Sequence, residues 1–158
     1  MPLPQRKHPR LKNYDYGQCG CYHITICTQG HQNCLSCIIP PQTITDRAQI
    51  QLTHWGNIAE KYIQQIEQIH VGVHVDKYAI MPNHIHVLIL LDEQVSTTIP
   101  KIVHGFKRMV SREIGQSIWQ ESFYDVVIRN GVMYQSEWNY IDGNPDQWTE
   151  DKLYIAEE

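Results

Sequence analysis

The stretch Met81-Pro82-Asn83-His84-Ile85-His86-Val87-Leu88-Ile89-Leu90-Leu91 decides how this chain is read. Pro82-Asn83 is a turn signal, and the β-branched and aliphatic run behind it predicts a buried strand. Side chains alternate along a strand, so His84 and His86 share one face, about 6.7 Å apart at ~3.3 Å per residue. Leu88 and Leu90 continue that face, while Ile85, Val87, Ile89 and Leu91 cover the other. Two imidazoles on an otherwise apolar strand are costly to bury without partners. A shared metal ion is one partner that suits both. Local hydrogen bonding of two core histidines is the alternative.

Outward from this strand, residues 71–80 read as a second strand that pairs with it across the Pro82-Asn83 turn. Upstream, a long helix is predicted over 45–70, with Thr45-Asp46 as capping residues. Leu52, Trp55, Ile58, Ala59, Tyr62, Ile63, Ile66 and Ile69 form its apolar stripe. Before it, residues 21–28 alternate as a strand with Tyr22, Ile24 and Ile26 on one side, and a turn-rich interval leads to Pro40-Pro41. Downstream, a helix is predicted over 98–113, with Pro100 in its first turn and Gly115 past its end. Residues 124–129 follow as a short strand, then 132–142 as a third helix closed by Asn144-Pro145. The order βαββαβ plus a helix is the split-βαβ pattern. It implies an α+β, ferredoxin-like antiparallel sheet with helices on one face and an added C-terminal helix.

The 158 residues suit a single domain. We divide it into a basic arm over 1–18, a core over 19–150 and an acidic tail over 151–158. No run of ~18 apolar residues is present, so no membrane span is expected. The N-terminus is basic with no apolar stretch behind it, unlike a secretory signal. A cytoplasmic protein is the expectation. Five cysteines include Cys19-x-Cys21 and Cys34-x2-Cys37. Those pairs can compose a zinc site on paper, but reduced thiols are the simpler reading. The net charge of −4 speaks against nucleic acid, yet the basic residues cluster. Arg6, Lys7, Arg10 and Lys12 lie in the arm, and Lys101, Lys107, Arg108 and Arg112 in one helical segment, with Arg129 apart. Such clustering is compatible with a local phosphate-binding surface.

On the third helix, Tyr140 and Asn144 are four residues apart. If the helical path persists to Asn144, they share a face with ~6 Å of rise between them. The Asn144 amide oxygen would then be a third ligand beside His84 and His86, and the Tyr140 phenol would stand next to the ion. A phenol, with a pKa near 10, becomes a useful nucleophile only once its proton is removed. A packed tyrosine followed by a helix stop is the plainer account of this spacing. Tyr124 and Tyr134 are rival nucleophiles, but neither has an amide four residues later.

Several segments together resemble a known family. They are Arg10-Leu11-x2-Tyr14-Asp15-Tyr16, His23-Ile24-Thr25-Ile26-Cys27-Thr28, Met81-Pro82-Asn83-His84-Ile85-His86, Trp119-Gln120-x2-Phe123-Tyr124-Asp125 with Val127-Ile128-Arg129, and Tyr140-Ile141-x2-Asn144-Pro145-x2-Trp148. In this order they are similar to the REP-associated tyrosine transposases. Those are relatives of the smallest bacterial insertion-sequence transposases, within the His-hydrophobic-His (HUH) endonuclease superfamily. The resemblance implies a divalent ion, magnesium or manganese, held by His84, His86 and Asn144. It implies that Tyr140 attacks a phosphodiester of single-stranded DNA, joins its 5′-phosphate and frees a 3′-hydroxyl. It further implies DNA transposition or recombination at hairpin-forming repeats, with Arg10, Lys107, Arg108, Arg112 and Arg129 as candidate phosphate contacts. A homodimer could share its tyrosine helices between subunits. Many members carry a histidine where this chain has Val126. A domesticated module that binds hairpins without cutting is the rival outside enzymes. A histidine-triad hydrolase fits poorly, because Leu88 stands where its third histidine would be.

Overall fold

The computed structural model describes residues 15–156. The arm residues Arg6, Lys7, Arg10 and Lys12 and the tail residues Glu157 and Glu158 lie outside that range. Four strands form one antiparallel sheet: β1 (Gly20–Cys27), β4 (Val73–Ile80), β5 (His84–Leu91) and β6 (Tyr124–Ile128), in the order β4-β5-β1-β6. β1 and β4 flank β5, each antiparallel to it. That order is the split-βαβ arrangement expected from the sequence.

Helices α1 (His54–Ile69) and α2 (Ile99–Ile114) cover one face. There Tyr22, Ile24 and Ile26 of β1 and Ile85, Val87, Ile89 and Leu91 of β5 pack against Ile58, Ala59, Ile63 and Ile66 of α1 and Ile102, Val103, Phe106 and Val110 of α2. The alternation that puts these residues in the core sends His23, Thr25, His84, His86 and Leu88 to the opposite face. Helix α3 (Gly131–Gly143) crosses that second face, with Ile141 buried against Cys21, Ala79 and Leu88. Among the described residues, no helix is long and apolar enough to cross a membrane.

One expectation is corrected. Residues 45–53 are not the start of α1; they hold β3 (Gln49–Leu52), which pairs with β2 (Ser36–Ile39) in a separate two-stranded ribbon. The cap is Thr53, whose hydroxyl accepts from the Gly56 amide at 3.1 Å. Thr53 also donates to the Cys34 carbonyl at 2.7 Å, which ties the helix entry to the ribbon. Gly56 is required by this close approach: a Cβ there would lie 1.9 Å from the Leu35 carbonyl oxygen. A second irregularity serves the site. The register of β4 shifts between Val75 and Lys77, so Val73, Val75 and Tyr78 face the core while Lys77 reaches α3.

Candidate active site

Both histidines of β5 are fully or almost fully buried, and neither is a satisfied core residue in the ordinary sense. The amide nitrogen of Asn83 donates to the Leu153 carbonyl at 2.6 Å, which turns its oxygen toward His84 Nδ1 at 2.8 Å. Nδ1 of His84 therefore carries the proton, and its Nε2 lone pair points inward. That Nε2 lies 3.1 Å from His86 Nε2 and 3.4 Å from Asn144 Oδ1. Asn144 has helical backbone angles, so the path of α3 runs through Gly143 to reach it. Asp151 completes the group: its Oδ2 is 3.8 Å from His84 Nε2 and accepts from the Asn144 amide nitrogen at 2.7 Å. The bond to Asp151 points the Asn144 oxygen at His84.

These residues fit a divalent ion. With each nitrogen ~2.1 Å from a metal and a right angle between them, two ligands sit about 3.0 Å apart. The observed 3.1 Å matches that spacing. The donor atoms of His84, His86 and Asp151 all lie within 4.8 Å of one another. Burial, before any other cause, holds His84 down at about 4 and His86 well below its ordinary value. Both rings are thus neutral, as ligands must be. Imidazole, amide and carboxylate donors suit manganese or zinc and admit magnesium.

Tyr140 reaches the same place from α3. Asn130 caps that helix, its side chain accepting from the Met133 amide at 2.8 Å. The Tyr140 ring centroid lies 5.3 Å from that of His86 and 6.1 Å from that of His23, and the residue is 50% exposed. Burial, then Asp151 and Glu137, push its phenol above the usual value. The helix is well fastened. Lys77 Nζ donates to Asp142 Oδ1 at 2.7 Å and sits 4.2 Å from the Trp138 ring centre. Arg47 donates to the Asp142 carbonyl at 2.7 Å, and the Tyr134 hydroxyl to Asp76 at 3.1 Å.

His84, His86, Asn144 and Tyr140 therefore come together within one chain. The basic residues do not join them. Arg108 and Arg112 are exposed on α2, across the sheet. The Lys107 ammonium donates to the carbonyls of Gln120 and Ser122, both at 2.8 Å. Arg129 follows β6 at the end remote from the histidines, since Ile128 pairs with Cys21 while Tyr124 pairs with Thr25. Among the rival tyrosines, Tyr134 is held by Asp76, and Tyr124 stands one strand further from β5. Val126 is the partner of His23 in the β1–β6 ladder, at the border of the site. The five cysteines are free thiols.

Four participants were not singled out from sequence. His23 and Thr25 follow from the alternation that buries Tyr22, Ile24 and Ile26, so a signal for them existed. Glu137 lies one turn before Tyr140, which is also readable. Asp151 had no such signal, because only the 3₁₀ turn Pro145–Glu150 brings it back from what reads as an acidic tail.

A split-βαβ sheet with paired histidines on an inner strand and a tyrosine helix laid over them is the layout of the HUH tyrosine transposases. The chain belongs to the IS200-like transposase family, whose model matches residues 21–142. Membership places it among DNA-processing enzymes that bind and recombine DNA. It is 31% identical, over 97% of its length and 95% of the relative's, to an uncharacterised protein of Haemophilus influenzae. The solved structure of a REP-associated tyrosine transposase bound to a REP hairpin has the same fold, with a TM-score of 0.62 and 19% identity. That alignment covers 86% of this chain and 72% of the other.

Proposed function

We propose that this chain cuts and rejoins single-stranded DNA through a covalent link to Tyr140. The supporting observation is the 5.3 Å approach of the Tyr140 ring to His86, with Asn144 one turn further on beside His84. In this reading the Tyr140 oxygen attacks phosphorus as its proton leaves. The new bond joins tyrosine to the 5′-phosphate, the bond to the 3′-oxygen breaks, and that oxygen departs as a hydroxyl. Reversal by an incoming 3′-hydroxyl restores the phenol, so no nucleotide is consumed. His84, His86 and Asn144, with Asp151, are the residues that would hold a magnesium or manganese ion. Bound there, such an ion would polarise a phosphate oxygen and would offset the share of the Tyr140 rise that Asp151 and Glu137 add to burial.

The hairpin held by the solved relative suggests hairpin-forming DNA as the substrate class. Arg108, Arg112 and Arg129 are proposed to hold phosphates of flanking DNA rather than the one being cut, as is Arg10 of the arm. The test incubates the chain and Mn²⁺ with labelled single-stranded hairpin oligonucleotides. A covalent adduct is expected from the parent and none from Tyr140→Phe. Binding with no adduct under Mn²⁺ or Mg²⁺ would overturn the reading in favour of a non-cutting DNA-binding module.

A further inference from the structure

Behind His86 runs a chain of hydrogen bonds that the ligand set alone does not call for. His86 Nδ1 lies 2.9 Å from His23 Nε2 and 3.0 Å from the Thr25 hydroxyl oxygen. On its other side, His23 Nδ1 bonds to the carboxylate of Glu137. All of this is shielded: the His23 side chain is 6% exposed and that of Glu137 23%. Glu137 belongs to α3, three residues before Tyr140, so it travels with the tyrosine helix.

A carboxylate only accepts, so His23 Nδ1 carries a hydrogen. In the neutral ring, Nε2 of His23 is then a bare acceptor, and the hydrogen shared with His86 must come from His86 Nδ1. The Thr25 oxygen can accept from the same hydrogen. A neutral imidazole has one N–H, so His86 Nε2 is left with its lone pair toward His84 Nε2 and the metal position. The opposite arrangement, with His23 donating to His86 Nδ1, would put the hydrogen on His86 Nε2 and block the ligand.

We infer that Glu137 is a positioning residue that acts through His23 to fix His86 in its metal-binding tautomer, and thereby strengthens metal binding. Asn83, in the turn before β5 and held by the Leu153 carbonyl, does the same for His84. The tautomers of the two ligands are thus set by different parts of the chain. The inference rests on the metal reading given above.

Its test uses the full chain in two measurements. Titration with Mn²⁺, followed by calorimetry, is expected to show roughly ten- to hundred-fold weaker binding for Glu137→Ala than for the parent. Glu137→Gln, which keeps an oxygen acceptor, should recover much of the loss. Lys77→Met serves as control, because it removes another fastening of α3 and leaves the His23–His86 bond intact; its affinity should stay near the parent's. Nitrogen-15 histidine spectra of the metal-free protein are the second measurement, with His86 assigned through His86→Gln. They should place the proton on Nδ1 of His86 in the parent and shift it toward Nε2 in Glu137→Ala. Equal affinity loss in Lys77→Met and Glu137→Ala would reduce Glu137 to a helix fastener and overturn the inference. So would a proton on Nε2 of His86 in the parent. A parent that takes up no Mn²⁺ would refute the metal reading instead, and the metal-free spectra would still decide the tautomer.

Discussion

Nε2 of His84 faces Nε2 of His86 across 3.1 Å inside the protein, a spacing that a shared cation satisfies and an apolar core does not. At about one hundred times its dissociation constant, a bound ion stabilises the folded state by about 2.7 kcal/mol. For a domain of this size that corresponds to a rise in Tm of roughly 5–10 °C. Thermal denaturation with and without Mn²⁺ should show this rise in the parent and its reversal by a chelator. His84→Ala should melt lower from the start and show no rise.

Asp151 is expected to do more than orient Asn144. Asp151→Asn keeps an oxygen acceptor near Asn144 but removes the charge beside His84. Mn²⁺ affinity should fall about tenfold, with adduct yield at limiting metal falling in step. Unchanged affinity by calorimetry would restrict Asp151 to holding the amide.

Gly56→Ala should destabilise the fold without touching the site. The added methyl meets the Leu35 carbonyl, part of the rigid link between β2 and the cap of α1. Overpacking of this kind costs about 1–3 kcal/mol. Urea denaturation should show a lower midpoint with an unchanged slope.

The thiols give the pH dependence. Burial pushes Cys21 and Cys27 up to about 11, while Cys19 and Cys37 are exposed. A thiol reagent at pH 8 should modify Cys19 and Cys37 in the folded chain and reach Cys21 and Cys27 only after unfolding. Because the folded value lies above the unfolded value of 9.0, the unfolded chain loses its protons first as pH rises. Stability from these groups is whole below pH 9 and declines between there and about 11, by at most ~1.4 kcal/mol per unit for each thiol.

Much of the fold could be read from periodicity. The alternation in 84–91 and 21–28 and the stripes of α1 and α2 specify the sheet, its buried face and the two covering helices. The ribbon of β2 and β3 was missed because Thr45-Asp46 imitates a cap and Leu52 falls in phase with the α1 stripe; the choice is made by Thr53 bonding to Cys34, a contact from outside the segment. Of the site, His84, His86, Tyr140 and Asn144 were legible from local spacing and resemblance. Of the supporting residues, His23 and Glu137 carry a positional signal in alternation and helical spacing, but their pairing, and any role for Asp151, emerges only when separate elements meet. Charge clustering does not tell on which side of a sheet a helix lies, and α2 lies opposite the histidines.

The tyrosine helix is pinned by Lys77 and Arg47 of its own chain, over histidines of its own chain. The groups on which the proposed reaction rests, His84, His86, Asn144 and Tyr140, are thus gathered within one polypeptide. Mixing a histidine-deficient His84→Ala protein with a tyrosine-deficient Tyr140→Phe protein should therefore yield no adduct at any ratio. Adduct formed by such a mixture would mean the helix can leave home and work on a neighbour.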